Sequence, residues 1–167
     1  MSIASRSILR RGIVKPVRVL VTPTITATPD YTAADNIGGK LTLAGVSSKD
    51  GGPVVLDEVK LVDAANQKPT LEIVFFNADP SATTFTDNGA LTIHADDVPK
   101  IIGKIAIASG DWASAGVKGV ADVRNIGMLL VPATGNTLYA TMQISGGGLD
   151  FAAADDLDLT FVFYPAA

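Results

Sequence analysis

A single histidine, His94, and the complete lack of cysteine bound the chemistry open to this chain. Without thiols there is no disulfide, no cysteine nucleophile and no thiolate metal site. A Ser-His-Asp arrangement would have to use His94, yet no G-x-S-x-G elbow or other nucleophile signature accompanies it. A histidine beside a helix start reads first as a surface or capping neighbour. Acids gather at Asp155, Asp156 and Asp158, and Asp79 and Asp87 flank another loop. Such oxygens could hold Ca²⁺, but neither group has the D-x-D-x-D-G spacing with a distal Glu, so solvated loop acids and turn caps are expected. Asp57 and Glu58, adjacent on a strand, would point to opposite sides and make a poor acid/base pair. Gly146-Gly147-Gly148 has the composition of a phosphate cradle without the Lys-Ser/Thr or the helix one needs, so a flexible hinge is expected. Trp112, the only tryptophan, either meets a carbohydrate or a subunit or pins its Gly/Ser/Ala loop to the core. Nothing here assembles a catalytic site, and the expectation is a non-enzyme with no cofactor and no metal.

Charge is unevenly spread. Residues 1–18 carry Arg6, Arg10, Arg11, Lys15 and Arg18 and no acid, a net of +5. The remaining chain has 8 bases against 17 acids, a net of −9. A basic arm over residues 1–16 therefore precedes an acidic body over 17–167. These five cations are the candidate contacts to an acidic neighbour or a sister subunit; the alternative is a frayed, solvated terminus. Nucleic acid fits poorly, because the arm lacks interleaved aromatics and an acidic body repels phosphate. Of 167 residues 47% are apolar and only 18% charged, below the roughly 25% usual for soluble domains. Mean hydropathy is positive, +0.33. No run approaches the ~18 apolar residues that span a bilayer, and no apolar stretch with a small-residue cleavage site marks a signal peptide, so excess apolar surface is expected to be covered by partners rather than lipid.

The elements that must position these residues are strands. Val54–Val62 and Leu71–Phe76 read as two antiparallel strands joined by the polar segment 63–70. In the second, Leu71, Ile73 and Phe75 share one face and Glu72, Val74 and Phe76 the other, so its end should be covered on both sides, by a second sheet or another subunit. Prolines at 16, 23 and 29 make the β-branched segment 16–31 an interrupted edge strand. Leu41 and Leu43 alternate with polar neighbours, as do Leu138, Ala140, Met142 and Ile144, and residues 157–164 form a closing strand. Asp96 or Asp97 before Val98-Pro99, with Gly103 beyond, predicts one short helix of one or two turns capped by an aspartate. About eight to ten short strands with one such helix predict a single all-β domain, a β-sandwich of jelly-roll type behind an extended N-terminal arm.

Four segments in order, Tyr31–Leu41, Val59–Pro69 (VKLVDAANQKP), Phe76–Asn88 (FNADPSATTFTDN) and Asp97–Gly103 (DVPKIIG), resemble a family of tailed-bacteriophage virion proteins, the capsid decoration or cement proteins. The likeness covers roughly residues 31–164. It implies a homotrimer on the outer surface of an icosahedral head, with the major capsid protein as its partner and with neither nucleic acid nor membrane involved. No binding residue transfers from it, and the arm lies outside the matching region. The competing expectation is a head-fibre or tail-tip module of the same architecture that binds a host surface glycan.

Overall fold

The computed structural model describes residues 15–27, 30–146 and 148–166. Among the described residues nine strands follow one another: β1 (Val17–Val21), β2 (Asn36–Leu43), β3 (Val54–Asp63), β4 (Leu71–Phe76), β5 (Ile101–Ile107), β6 (Trp112–Ala115), β7 (Lys118–Leu130), β8 (Leu138–Ile144) and β9 (Leu157–Pro165). They form a five-stranded sheet in the order β1-β9-β3-β7-β6 and a four-stranded sheet in the order β2-β8-β4-β5. Every ladder is antiparallel. The first strand pairs with the ninth, the second with the eighth, the third with the seventh and the fourth with the fifth. The chain is thus one long hairpin folded back on itself into two layers, with β6 added as a short outer rung on β7. That nesting is the jelly-roll topology, and the expected β-sandwich is what forms.

The core lies between the layers and comes from alternate residues, as period-two patterning requires. Leu71, Ile73 and Phe75 of β4 and Leu138, Ala140, Met142 and Ile144 of β8 face Leu56, Val59 and Leu61 of β3 and Leu157, Leu159, Phe161 and Phe163 of β9. Phe75 meets Phe161 edge-on with ring centroids 6.0 Å apart, a direct contact between the two sheets. Trp112 is buried, and its indole N–H donates to the Pro69 carbonyl at 2.9 Å, tying the start of β6 to the loop before β4. Where a loop was expected, Trp112 begins strand β6; it pins that strand to the core and offers no free ring to a sugar.

Several expectations need correction. β3 and β4 do not pair with each other: they lie in different sheets, and residues 64–70 carry the chain across the end of the sandwich. Asn66 and Lys68 take positive φ in that crossing, which a tight hairpin of β-branched residues would not signal. The outer face at Phe76 is covered neither by a second sheet nor by a subunit. Phe85, from the long loop after β4, packs on it edge-on at 6.2 Å. Asp57 and Glu58 do not point to opposite sides. A β-bulge between Leu56 and Glu58 places both outside the core, between the inward-facing Leu56 and Val59. The short helix is a single 3-10 turn, Val98–Lys100, and Asp97 makes no side-chain cap to it. Residues 1–14 of the arm lie outside the described residues.

Glycines at the triplet serve packing. A Cβ on Gly146 would sit 3.1 Å from Thr70 Cβ, and one on Gly148 would sit 3.1 Å from the Tyr31 carbonyl oxygen. The Thr70 side chain crowds the first position and the Tyr31 backbone the second, so a Cβ at either would press on its neighbour.

Candidate functional site

The titratable residues singled out from sequence are dispersed. His94 is exposed, and its Nδ1 accepts from the Asp96 backbone N–H at 3.2 Å. Asp156 caps its own loop, accepting from Ala152 N at 2.8 Å and Ala153 N at 2.7 Å. Asp158 accepts from the Thr22 hydroxyl. Asp79 pairs with Lys40 at 2.6 Å, whereas Asp87 gathers donors from Thr26, Tyr31 and Gly38. Among the described residues no three acidic or histidine side chains converge as metal ligands. No helix there is long and apolar enough to cross a membrane.

The most perturbed carboxylate is Asp97, fully buried beneath the loop that follows β4. Burial works to raise its pKa, but hydrogen bonds from Lys100 and from the hydroxyl and backbone N–H of Thr83 outweigh it and hold the value at about 2. Those contacts are 2.7, 2.7 and 2.6 Å. Lys100 also donates to the Asp79 carbonyl at 2.6 Å, so the cluster straps the 77–97 loop over Phe76. Its role is architectural. Sequence patterning pointed to Asp97 only as a helix cap; the Thr83 partner, 14 residues away, gives no local signal.

The fold leaves apolar side chains exposed on one sheet face. On the outer face of the five-stranded sheet, Tyr164 of β9, Val55 of β3 and Leu129 of β7 stand directly opposite one another and form an apolar row across three strands. Leu129 is 58% and Tyr164 37% exposed. Next along the sheet runs a row of Arg18, Val162, Glu58 and Arg124. Arg124 is neutralised by a forked contact to Asp122, at 2.9 and 2.5 Å, whose hydrogen bonds and charge raise the guanidinium pKa further. Arg18 and Lys15 are exposed and have no ion-pair partner among the described residues. Arg18 sits on edge strand β1, which starts just after Pro16 and ends before Pro23, as the proline spacing predicts. Of the five candidate cations, Arg18 lies in the second row on edge strand β1 and Lys15 is an exposed residue just before that strand; Arg6, Arg10 and Arg11 lie outside the described residues. The apolar row was missed from sequence because Tyr164, Val55 and Leu129 belong to segments that meet only through strand register.

No family model matches the chain, and no curated protein matches it. Among solved structures, the chain is similar to one described as the structure of infectious bursal disease virus, Gx strain, at 14% identity and a TM-score of 0.25. That likeness covers 92% of this chain, which spans 37% of the other's length. At that level it fixes no relationship, and the jelly-roll assignment stands on the strand ladders alone. The chain is an all-β sandwich of two antiparallel sheets without an assigned family.

Proposed function

We propose that this chain is a structural virion protein, a decoration protein that sits on the outer surface of an icosahedral bacteriophage head as a homotrimer and ties major capsid subunits together. The four sequence segments that resemble phage cement proteins support it, as does a jelly-roll body, an architecture used by viral coats among others. Fold alone does not assign function. The observation that carries the reading is the mixed surface where the arm enters: the apolar row Tyr164, Val55 and Leu129, exposed at its two ends, with Arg18, which has no ion-pair partner among the described residues, in the next row on the edge strand. An apolar strip rimmed by uncompensated positive charge suits a partner that offers an apolar shelf and acids. Binding only the assembled lattice would stabilise that lattice by mass action, and several copies linked through one trimer multiply a weak contact. The chain acts without catalysis, cofactor, nucleic acid or membrane in this reading.

A second reading has one observation in its favour. Thr83, Thr84, Thr86, Thr92 and His94 line a shallow hollow of about 360 Å³, a polar wall that a sugar could hydrogen-bond. A host-glycan module on a head fibre or tail tip would occur in few copies per particle, whereas a decoration protein occurs in fixed ratio to the capsid subunits. A cryo-electron map of the intact particle counts them: density over the shell lattice supports decoration, and density confined to a fibre or tail overturns it.

A further inference from the structure

A cavity of about 260 Å³ opens at one end of the five-stranded sheet, between the 47–53 loop and the end of β9. The strand ends supply Pro53, Pro165 and Ala166 to its lining, and the loop supplies Ser47, Lys49 and Gly52. That loop is held in one shape. Lys49 N–H donates to the Ser47 hydroxyl at 3.1 Å, Gly52 N–H to the Lys49 carbonyl at 3.1 Å and Gly51 N–H to the Gly135 carbonyl at 2.6 Å. A Cβ on Gly52 would collide with the Ser47 hydroxyl oxygen, so the loop closes only over a glycine. A preformed site of this kind spends little free energy on ordering when a ligand arrives. The cavity adjoins the apolar row described above: Tyr164 precedes Pro165, and Val54 stands opposite both Pro165 and Leu130, with Val131 beyond at 42% exposed.

We propose that this cavity anchors an extended acidic segment of a partner protein, seating one apolar side chain while Lys49 takes the carboxylate beside it. The inference rests on the decoration reading for the source of that segment, a capsid subunit, and deepens it by naming the segment's chemistry. Charge selects the occupant. Lys49 is exposed and has no ion pair among the described residues, while the neighbouring Asp50 is committed to the Gly135 N–H. Lys15 enters at the same end, just before Val17, which lies opposite Phe163 near the close of β9. From there β1 runs to Val21, opposite Leu159, so the loops that follow β1 and precede β9 lie at the far end of the sheet. Those loops expose Asp30, Asp150 and Asp155. An acidic segment is repelled there and drawn to the end that carries the cavity. The same far-end loops of a second copy make poor occupants, because the large apolar side chains within two residues of those acids, Tyr31, Leu149, Phe151 and Leu157, are all buried. A partner whose acids flank an exposed apolar side chain meets both requirements, an apolar anchor in a pocket and a charge at its rim.

The test titrates a blocked pentapeptide, one leucine flanked on each side by two aspartates, into the full chain while backbone amides are followed by NMR. Shifts should saturate at Ser47, Ser48, Lys49, Gly52 and Ala166 and leave the far-end loops unmoved. Replacing the peptide's leucine by glycine, or making Lys49→Glu in the protein, should each weaken binding about tenfold or more. Added salt should weaken it as well. Lys49→Glu alters an exposed side chain, and unchanged resonances elsewhere show that it folds. Ala166→Leu fills the cavity without a change of charge, keeps the backbone bond from residue 166 to the Pro53 carbonyl, and should block the peptide. No saturating shift, shifts centred elsewhere, a glycine peptide that binds as tightly, or variants that bind as the wild type does would overturn the proposal. Self-association of the wild type that Lys49→Glu abolishes would overturn it too, by making a second copy the occupant. Phage heads are read separately. Peptide bound at the cavity with heads left bare counts against the virion function and leaves the site standing; heads that take up both variants like the wild type, with no peptide bound, count the other way.

Discussion

The Tyr31 hydroxyl donates to the Asp87 carboxylate at 2.7 Å, joining residues 56 positions apart in the chain. Thr26 N–H reaches the Tyr31 oxygen and Asp87 Oδ2, each at 2.7 Å, and Gly38 N–H reaches Asp87 Oδ1 at 2.5 Å. One carboxylate thus ties together the segment after β1, the turn at 31 and the bulge of β2. Tyr31→Phe is expected to cost about 1–3 kcal/mol, since buried partners lose a donor, and Asp87→Ala should cost more because it strands several donors at once. Urea unfolding of the two variants checks the order.

That cluster also has a pH signature. Burial first, and then the Asp87 hydrogen bond and charge, push the Tyr31 pKa well above its ordinary 10.0. A raised pKa in the folded state means stability that is intact below pH 10 and falls as pH climbs past it. Tyr31→Phe should remove the part of the alkaline destabilisation above pH 10 that this phenol supplies, read from unfolding free energies at successive pH values.

Asp97 gives the opposite sign. Its pKa is held at about 2, below an ordinary 3.8, so it contributes stability above pH 4 that is lost as pH falls toward 2. Asp97→Asn should lower the urea midpoint at pH 7 and flatten the slope of stability between pH 4 and 2. An unchanged acid slope would show that the Thr83 and Lys100 contacts do not stabilise the charged form.

Two glycines with crowded surroundings should differ in cost. A Cβ on Gly38, at φ +69°, would lie 2.2 Å from the Cβ of Pro23, which is stiff and buried. A Cβ on Gly103 would meet the Met128 sulfur at 2.4 Å, the movable end of a flexible side chain. Gly38→Ala is therefore expected to cost about 2 kcal/mol or more and Gly103→Ala distinctly less, compared by thermal unfolding.

Period-two patterning and proline punctuation made much of this architecture legible. Leu138, Ala140, Met142 and Ile144 alternate as a half-buried strand should, and Pro16 and Pro23 bracket an edge strand where they were expected to. The pairing of β3 with β7 and β9, rather than with β4, was not legible, because a loop of seven residues can close a hairpin or cross a sandwich. Nor was the inserted residue at Asp57, since a bulge shifts facing without any change in residue type. The apolar row was hidden for the same reason: Tyr164, Val55 and Leu129 are scattered in the chain and become a row only once register is set.

The central claim is that the outer face of the five-stranded sheet, with the basic arm, grips a capsid lattice. Its most direct test is co-sedimentation of purified protein with bacteriophage heads of the kind the proposal assigns it to, counting bound copies for the wild type, for Leu129→Glu and for a chain lacking residues 1–15. The account expects the wild type to saturate in fixed ratio to capsid subunits and both variants to bind at least about tenfold more weakly, as loss of a buried apolar contact or of several charge contacts implies. Wild-type protein that stays in the supernatant, or variants that saturate the heads as the wild type does, would contradict it.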